Sequence, residues 1–241
     1  MNQAYTTYQQ PIGRAVPGWS ARPLPPATPM EGRYCRVERA DAATHAADLF
    51  AAYAKAPDDR DWTYLSVERS PNLGHYRAWL KEAAAKPDPF FHAIIDKASG
   101  RASGVAAYMR IDAANGVIEV GHINLAPRLQ RTRAATEAMF LMMRRAFDEL
   151  GYRRYEWKCD SLNEPSRKAA LRYGFQFEGI FRQAAVYKGR NRDTAWFSII
   201  DTEWKAIRRG FERWLDPGNF DERGCQRGTL SRFIGIQDRP S

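Results

Sequence analysis

Val117-Ile118-Glu119-Val120-Gly121-His122-Ile123-Asn124-Leu125-Ala126-Pro127-Arg128-Leu129-Gln130-Arg131-Thr132-Arg133-Ala134-Ala135-Thr136-Glu137-Ala138-Met139 begins as a strand and ends as a helix. The first nine residues are a mostly apolar run, and Pro127 stops it because proline lacks the amide hydrogen a sheet needs. From residue 131 to 150 the period changes. Ala135, Ala138, Met139, Met142 and Ala146 form one apolar stripe, and Phe140, Met143, Phe147 and Leu150 form a second. Two stripes predict a helix with a wide apolar face laid on a sheet, ended by Gly151. A strand that runs into a helix leaves free amides and the positive end of the helix dipole at the junction, where phosphate binds. Arg128, Arg131 and Arg133 crowd that junction. Cations there are disfavoured by roughly 0.3–1 kcal/mol each, so three of them predict an anion.

Working outward, residues 90–95 and 103–111 are apolar or alternating runs, separated from each other and from Val117 by the turn-like segments 97–100 and 112–116. These runs predict an antiparallel meander. Further upstream, 33–38 reads as a short strand, 41–53 as a helix capped by Asp41, 62–67 as another short strand and 73–85 as a helix stopped before Pro87. Downstream, 153–159 reads as a strand and 165–173 as a helix ended by Gly174. A hairpin follows over 175–187 and 192–201, then a last helix over 202–215. This mixed order predicts an α/β (α+β) sheet sandwiched by helices rather than a regular doubly wound fold.

Composition removes several classes. The 241 residues are 44% hydrophobic and 12% aromatic, too apolar for a disordered chain. No apolar run approaches the ~20 residues that cross a bilayer, and the first ten residues lack the pattern of a secretory leader. Cys35, Cys159 and Cys225 are odd in number and widely spaced, which predicts a reducing, cytoplasmic setting without disulfides or a Cys metal site. His45, His75, His92 and His122 form no HExxH pattern, and no GxxxxGK[ST] loop occurs. With 37 basic and 28 acidic residues the net charge is +9, which predicts an anionic partner without naming it. Basic clusters at 144–145, 153–154, 188–192 and 205–213 would suit nucleic acid or a ribosome surface, but no recognition motif accompanies them, so nucleic acid is not expected. Pro11, Pro17, Pro23, Pro25, Pro26 and Pro29 exclude a helix or central strand from their stretch. The chain therefore divides into a Pro-rich arm (1–32), which hangs free or wraps along the body, one domain (33–215), and a tail (216–241).

Gln130-Arg131-Thr132-Arg133-Ala134-Ala135 resembles the Gln/Arg-x-x-Gly-x-Gly/Ala signature that opens the central helix of the GNAT acyl-CoA transferases, with Arg133 in place of the central glycine. Four further pieces resemble the ribosomal-protein N-terminal acetyltransferase (RimJ/RimL-like) branch, in order over residues 32–205. They are Gly32-Arg33-Tyr34-Cys35-Arg36, Ile118-Glu119-Val120-Gly121, Ser161-Leu162-Asn163-Glu164-Pro165-Ser166 with Arg172-Tyr173-Gly174-Phe175, and Phe177-Glu178-Gly179 with the closing Glu203-Trp204. The resemblance implies a central mixed, mostly antiparallel twisted sheet of about seven strands flanked by helices. It implies acetyl-CoA as co-substrate, a primary amine as acceptor (a protein N-terminus or a small amine), and a monomer or homodimer. It further implies that Ile123, Asn124 and Leu125 offer backbone groups to the pantetheine arm, as does the Asn163 side chain. The amides of Arg131, Thr132, Arg133, Ala134, Ala135 and Thr136, beside Gln130, would cradle the pyrophosphate. Arg133 is expected to swing out and bind a phosphate directly, because its fork suits that geometry. A member that binds CoA without transferring acetyl is the alternative, as is a basic binding protein.

Acetyl transfer requires a neutral amine and a proton for the departing thiolate. An α-amine ionises near ~7.7–8.0 and a lysine near ~10.4, so near neutrality lysine costs roughly 3–4 kcal/mol more to deprotonate. Glu119 is the leading candidate base, and His122, which ionises near neutrality, is the second. Strand alternation places the two on opposite faces, so at most one should meet the substrate. Family members often use a tyrosine four residues before the Gly-Phe pair as the acid; that position is Ala170 here. Ser166 is the replacement the resemblance suggests, Tyr187 is a weaker candidate, and Cys159 reads as a buried cysteine.

Overall fold

The computed structural model describes residues 4–235. The arm opens with a small two-stranded ladder, β1 (Ala4–Tyr5) and β2 (Pro11–Ile12). The body follows as β3 (Met30–Glu31), β4 (Cys35–Arg39), α1 (Ala42–Tyr53), α2 (Leu73–Ala85), β5 (Phe90–Asp96), β6 (Arg101–Asp112), β7 (Val117–Leu125) and α3 (Arg133–Arg144). Then come β8 (Arg154–Asp160), α4 (Glu164–Arg172), β9 (Gln176–Tyr187), β10 (Arg190–Ile200), α5 (Asp201–Leu215) and α6 (Leu230–Ile234). Strands β3 to β10 form one eight-stranded sheet in the order β3-β4-β5-β6-β7-β8-β10-β9. Every pairing is antiparallel except β7 with β8.

Helix ends follow their capping residues. The side chains of Asp41, Asn72, Thr132 and Asn163 each accept a backbone amide three residues on. The amphipathic faces then decide the layers. The wide face of α3 packs with α5 on one side of the sheet, over Ile94, Tyr108, Ile118, Val120 and Tyr155. Helices α1 and α2 cover the other side, over Phe91, Ala93, Val105 and Ala107. Residues 62–67, read from the sequence as a strand, instead leave a single 3-10 turn (Arg60–Trp62) into further turns. Trp62 is buried edge-on against Tyr53, and its carbonyl is taken by Lys188. A tertiary anchor thus overrides the local alternation.

The arm wraps along the body. Trp19 donates its indole N–H to Ala114 O at 2.8 Å and packs on Gly116, where a side chain would collide with the ring. Arg145, in the π-helical turn that follows α3, donates to Thr28 O and Pro29 O. The Glu137 carboxylate, buried at 5% exposure, accepts the amides of Arg33, Tyr34 and Cys35 at 2.7, 2.6 and 2.8 Å. Gly32 is required beside it, since a Cβ there would strike that carboxylate. The segment expected to be a tail is in part folded as well: α6 packs on α5, with Gly210 pressed against Ile234.

Candidate active site

Strands β7 and β8 pair only from Val117 with Arg154 to Val120 with Trp157. Beyond that point β8 continues beside β10 to Asp160, while β7 continues beside β6 to Leu125. The two strands therefore diverge, and the first turn of α3 lies next in the chain beyond the open end of β7. Asn124 O accepts the Tyr53 hydroxyl at 2.8 Å, and Leu125 O accepts the Gln130 side-chain amide at 3.0 Å. Ile123 has no partner in the β6 register.

At the helix start, Thr132 Oγ1 takes the Ala135 amide at 3.1 Å and Thr132 O takes that of Thr136 at 3.2 Å. With the Thr132 amide donating to Leu129 O at 3.4 Å, the helix start thus uses three of the six amides expected to face phosphate. Among the described residues, the amides of Arg131, Arg133 and Ala134 have no acceptor, which narrows the cradle to these three. No acidic side chain occupies the first turn. The three arginines differ in placement. Arg128 is held on β6 by Ser103 Oγ at 2.6 Å. Arg133 has swung out of the turn, but onto two rings: its guanidinium lies 4.9 Å over Tyr34 and 4.7 Å over Phe220. Arg131 is exposed at positive φ, with no side-chain partner among the described residues.

Glu119 is 2% exposed. Arg110 donates to its Oε1 at 2.6 Å, and Lys158 Nζ lies 3.1 Å from Oε2 without hydrogen-bonding geometry, so Oε2 keeps a free lone pair. Burial pushes the Glu119 carboxyl up, against the opposing pull of Arg110 and Lys158. Lys158 also reaches Glu156 at 2.7 Å and stacks on Trp196. The cations keep the buried carboxylate from standing as an isolated charge, which would cost several kcal/mol.

The expectation that Glu119 and His122 face opposite ways is overturned by a β-bulge. Gly121 pairs with Ala107 and Asn124 with Val105, so β7 carries one extra residue there, and His122 takes φ +46. The phase of the strand shifts by one, and His122 lands on the same sheet face as Glu119, stacked on Trp79 at 5.4 Å and edge-on to Phe91 at 4.8 Å. A second bulge in β6 puts Arg110 at φ +48 and turns its side chain onto Glu119. Burial lowers the His122 pKa to about 4, so its ring is neutral near pH 7.

Asn163 caps α4 through its Oδ1, which accepts the Ser166 amide at 3.1 Å. Ser166 Oγ accepts the Trp157 indole N–H at 3.0 Å, which leaves its own proton to donate. Tyr187 bonds Asp160 at 2.9 Å, and Cys159 is buried with its thiol pushed up by burial. Sequence reasoning missed Arg110 and Lys158, and it missed an aromatic cavity of about 690 Å³ that reaches His122 and Asn124. Among the described residues no cluster of His, Cys, Asp or Glu could hold a metal, and no helix is long and apolar enough to cross a membrane.

An eight-stranded, largely antiparallel sheet that splits between β7 and β8, with amides left without acceptors at the start of α3, is the architecture of the GNAT acetyltransferases. The acetyltransferase (GNAT) domain family matches residues 37–176, more than half of the chain, and the chain belongs to that family. A GCN5-related N-acetyltransferase from Brucella melitensis is 49% identical, with a TM-score of 0.90 over 92% of this chain and 100% of that one. A probable acetyltransferase of the GNAT family from Chromobacterium violaceum is 42% identical, with a TM-score of 0.75 over 81% of this chain and 98% of that one. The uncharacterized N-acetyltransferase p20 of Bacillus licheniformis is 32% identical over 111 residues, 46% of this chain and 62% of its own length, so this chain spans less than two thirds of that relative. Acetyl-CoA is the co-substrate of the family.

Proposed function

We propose that the chain is an N-acetyltransferase that moves the acetyl group of acetyl-CoA to a primary amine, with residues 33–215 as the working domain and the RimJ/RimL-like branch as its kin. The observation that carries this reading is the divergence of β7 from β8 beside the unacceptored amides of α3. Acetyl-CoA supplies the thioester whose acetyl group passes to nitrogen while the sulfur leaves as a thiol. The open edge of β7 at Ile123 lines the pantetheine, with Asn124 and Leu125 following it along the strand. The amides of Arg131, Arg133 and Ala134 hold the pyrophosphate, and the free guanidinium of Arg131 adds charge. Glu119 Oε2 takes the proton of the attacking amine, directly or through one water, while neutral His122 lines the acceptor side. The Ser166 hydroxyl donates toward the departing sulfur.

Millimolar acetyl-CoA is expected to raise the melting temperature, and thiol release is expected on adding a primary amine. No thermal shift would overturn the reading. Arg131→Ala is expected to weaken acetyl-CoA binding about tenfold, the worth of one charge-assisted phosphate contact. Arg133→Ala is expected to act elsewhere, making the segment around Phe220 more sensitive to limited proteolysis while acetyl-CoA affinity changes less than for Arg131→Ala. A larger affinity loss at Arg133 would return that side chain to the phosphate.

A further inference from the structure

The aromatic cavity begins at the proposed acceptor side of the site and runs away from the diverging strands. Its walls form a chain of touching rings. Phe50 lies 6.4 Å from Tyr76, Tyr53 lies 5.7 Å from Trp62 and 5.8 Å from Tyr76, Tyr76 lies 5.4 Å from Trp79, and Trp79 stacks on His122. The volume of about 690 Å³ is that of a small-molecule site.

The charges at its mouth are already matched. Asp59 pairs with Arg69 at 3.1 Å, and Arg69 stacks over Trp62; Glu68 pairs with Lys188 at 3.1 Å. No unpaired carboxylate among these lining residues waits for an alkylammonium. The loop that roofs the cavity is fastened on three sides: Lys188 Nζ to Trp62 O at 2.8 Å, Tyr64 hydroxyl to Leu162 O at 3.1 Å, and Gln130 Nε2 to Asp61 at 3.0 Å. A roof tied to the hairpin tip, to the β8–α4 turn and to the approach of α3 suits a compact guest better than an extended chain.

We infer that the acceptor is a small primary amine carried on an aromatic or similarly flat apolar body, which the Tyr53–Tyr76–Trp79 rings hold while the nitrogen lies at His122 beside the end of β7. This rests on the reading of the chain as an N-acetyltransferase. Burying the flat body contributes most of the binding, because apolar area removed from water is worth about 25 cal/mol per Å² and rings stack favourably on it. The same ring faces attract the ammonium form before it loses its proton. In the transfer the nitrogen lone pair forms the C–N bond as the C–S bond breaks; the nitrogen gives up one proton to the site, and the sulfur takes one.

The test compares 2-phenylethylamine with ethanolamine, whose amines ionise alike, by thiol release from acetyl-CoA in the wild type, Trp79→Ala and Trp79→Phe. The aryl amine is expected to have a kcat/KM at least about a hundredfold higher. Trp79→Ala is expected to shrink the ratio below about tenfold, mainly through KM, and Trp79→Phe to keep most of it. A thermal shift with acetyl-CoA checks that each variant is folded and loaded. Equal rates for the two amines, faster transfer to a hexapeptide with a polar free N-terminus, or acetyl-CoA binding with no transfer to either amine would each overturn the inference. Failure of the wild type to bind acetyl-CoA would instead overturn the reading beneath it.

Discussion

Replacing Glu119 with glutamine is expected to lower kcat by about a hundredfold to ten-thousandfold, the usual worth of a positioned general base, while the acetyl-CoA dissociation constant stays as it was. Glutamine keeps the volume and one carbonyl for Arg110, but it cannot hold a proton taken from the amine. The pH profile gives a second reading. A base works only when deprotonated, so the wild-type kcat/KM should fall as pH drops through the Glu119 pKa. That acid limb should lie above the ordinary glutamate range, because burial of the carboxyl raises its pKa against the pull of Arg110 and Lys158. In Glu119→Gln the limb should vanish. Stopped-flow or steady-state thiol release across pH, with isothermal titration of acetyl-CoA, would check both. Unchanged turnover would remove Glu119 from the role and pass it to His122.

Glu137→Ala is expected to lose about 3–5 kcal/mol of folding stability, measured by urea denaturation. Its carboxylate gathers three backbone amides from residues 33–35, and no other acceptor is positioned to replace it. Each bond to a charged group is worth about 1.5–3 kcal/mol, and the amides left behind would be without partners in a closed site. Glu137→Gln should fall between the two, since one oxygen of the pair survives as an acceptor. A loss below about 1 kcal/mol in the alanine variant would mean that water replaces the carboxylate freely.

The run from Ser103 to Leu150 was legible in the sequence because its elements are made by local periodicity: alternating strands, a proline stop and two helical stripes. The strand-to-helix turn proposed to face phosphate was legible for the same reason. The bulges were not. Positive φ at Arg110 and His122 follows from how β6 and β7 align over several residues, and nothing in the two side chains announces it. The consequence is large, because one extra residue moved His122 to the face of Glu119. Arg133 was expected to swing out to a phosphate, whereas its guanidinium lies over Tyr34 and Phe220, the latter 87 residues away in sequence. The partners of Glu119 did leave a trace: Arg154, Glu156, Lys158 and Asp160 alternate in charge on the strand face opposite Tyr155, Trp157 and Cys159. An alternating charged face on an inner strand calls for a neighbouring charge to complete it.

Two segments that flank the body in sequence, residues 28–35 and Phe220, are fastened to the same helix and the turn after it. Glu137 and the turn after α3 hold residues 28–35, while Arg133 grips Phe220 and the rings of α5 stack on Phe140. In mechanical terms, a load from the N-terminal side first meets the Trp19 and Arg22 anchors on the β6–β7 turn, and beyond them it reaches α3 and the β3–β4 edge of the sheet together. Once those anchors give way, tension would be felt at the helix whose opening turn is proposed to face the phosphates, and a single-molecule pulling trace should show acetyl-CoA raising the force of that later rupture.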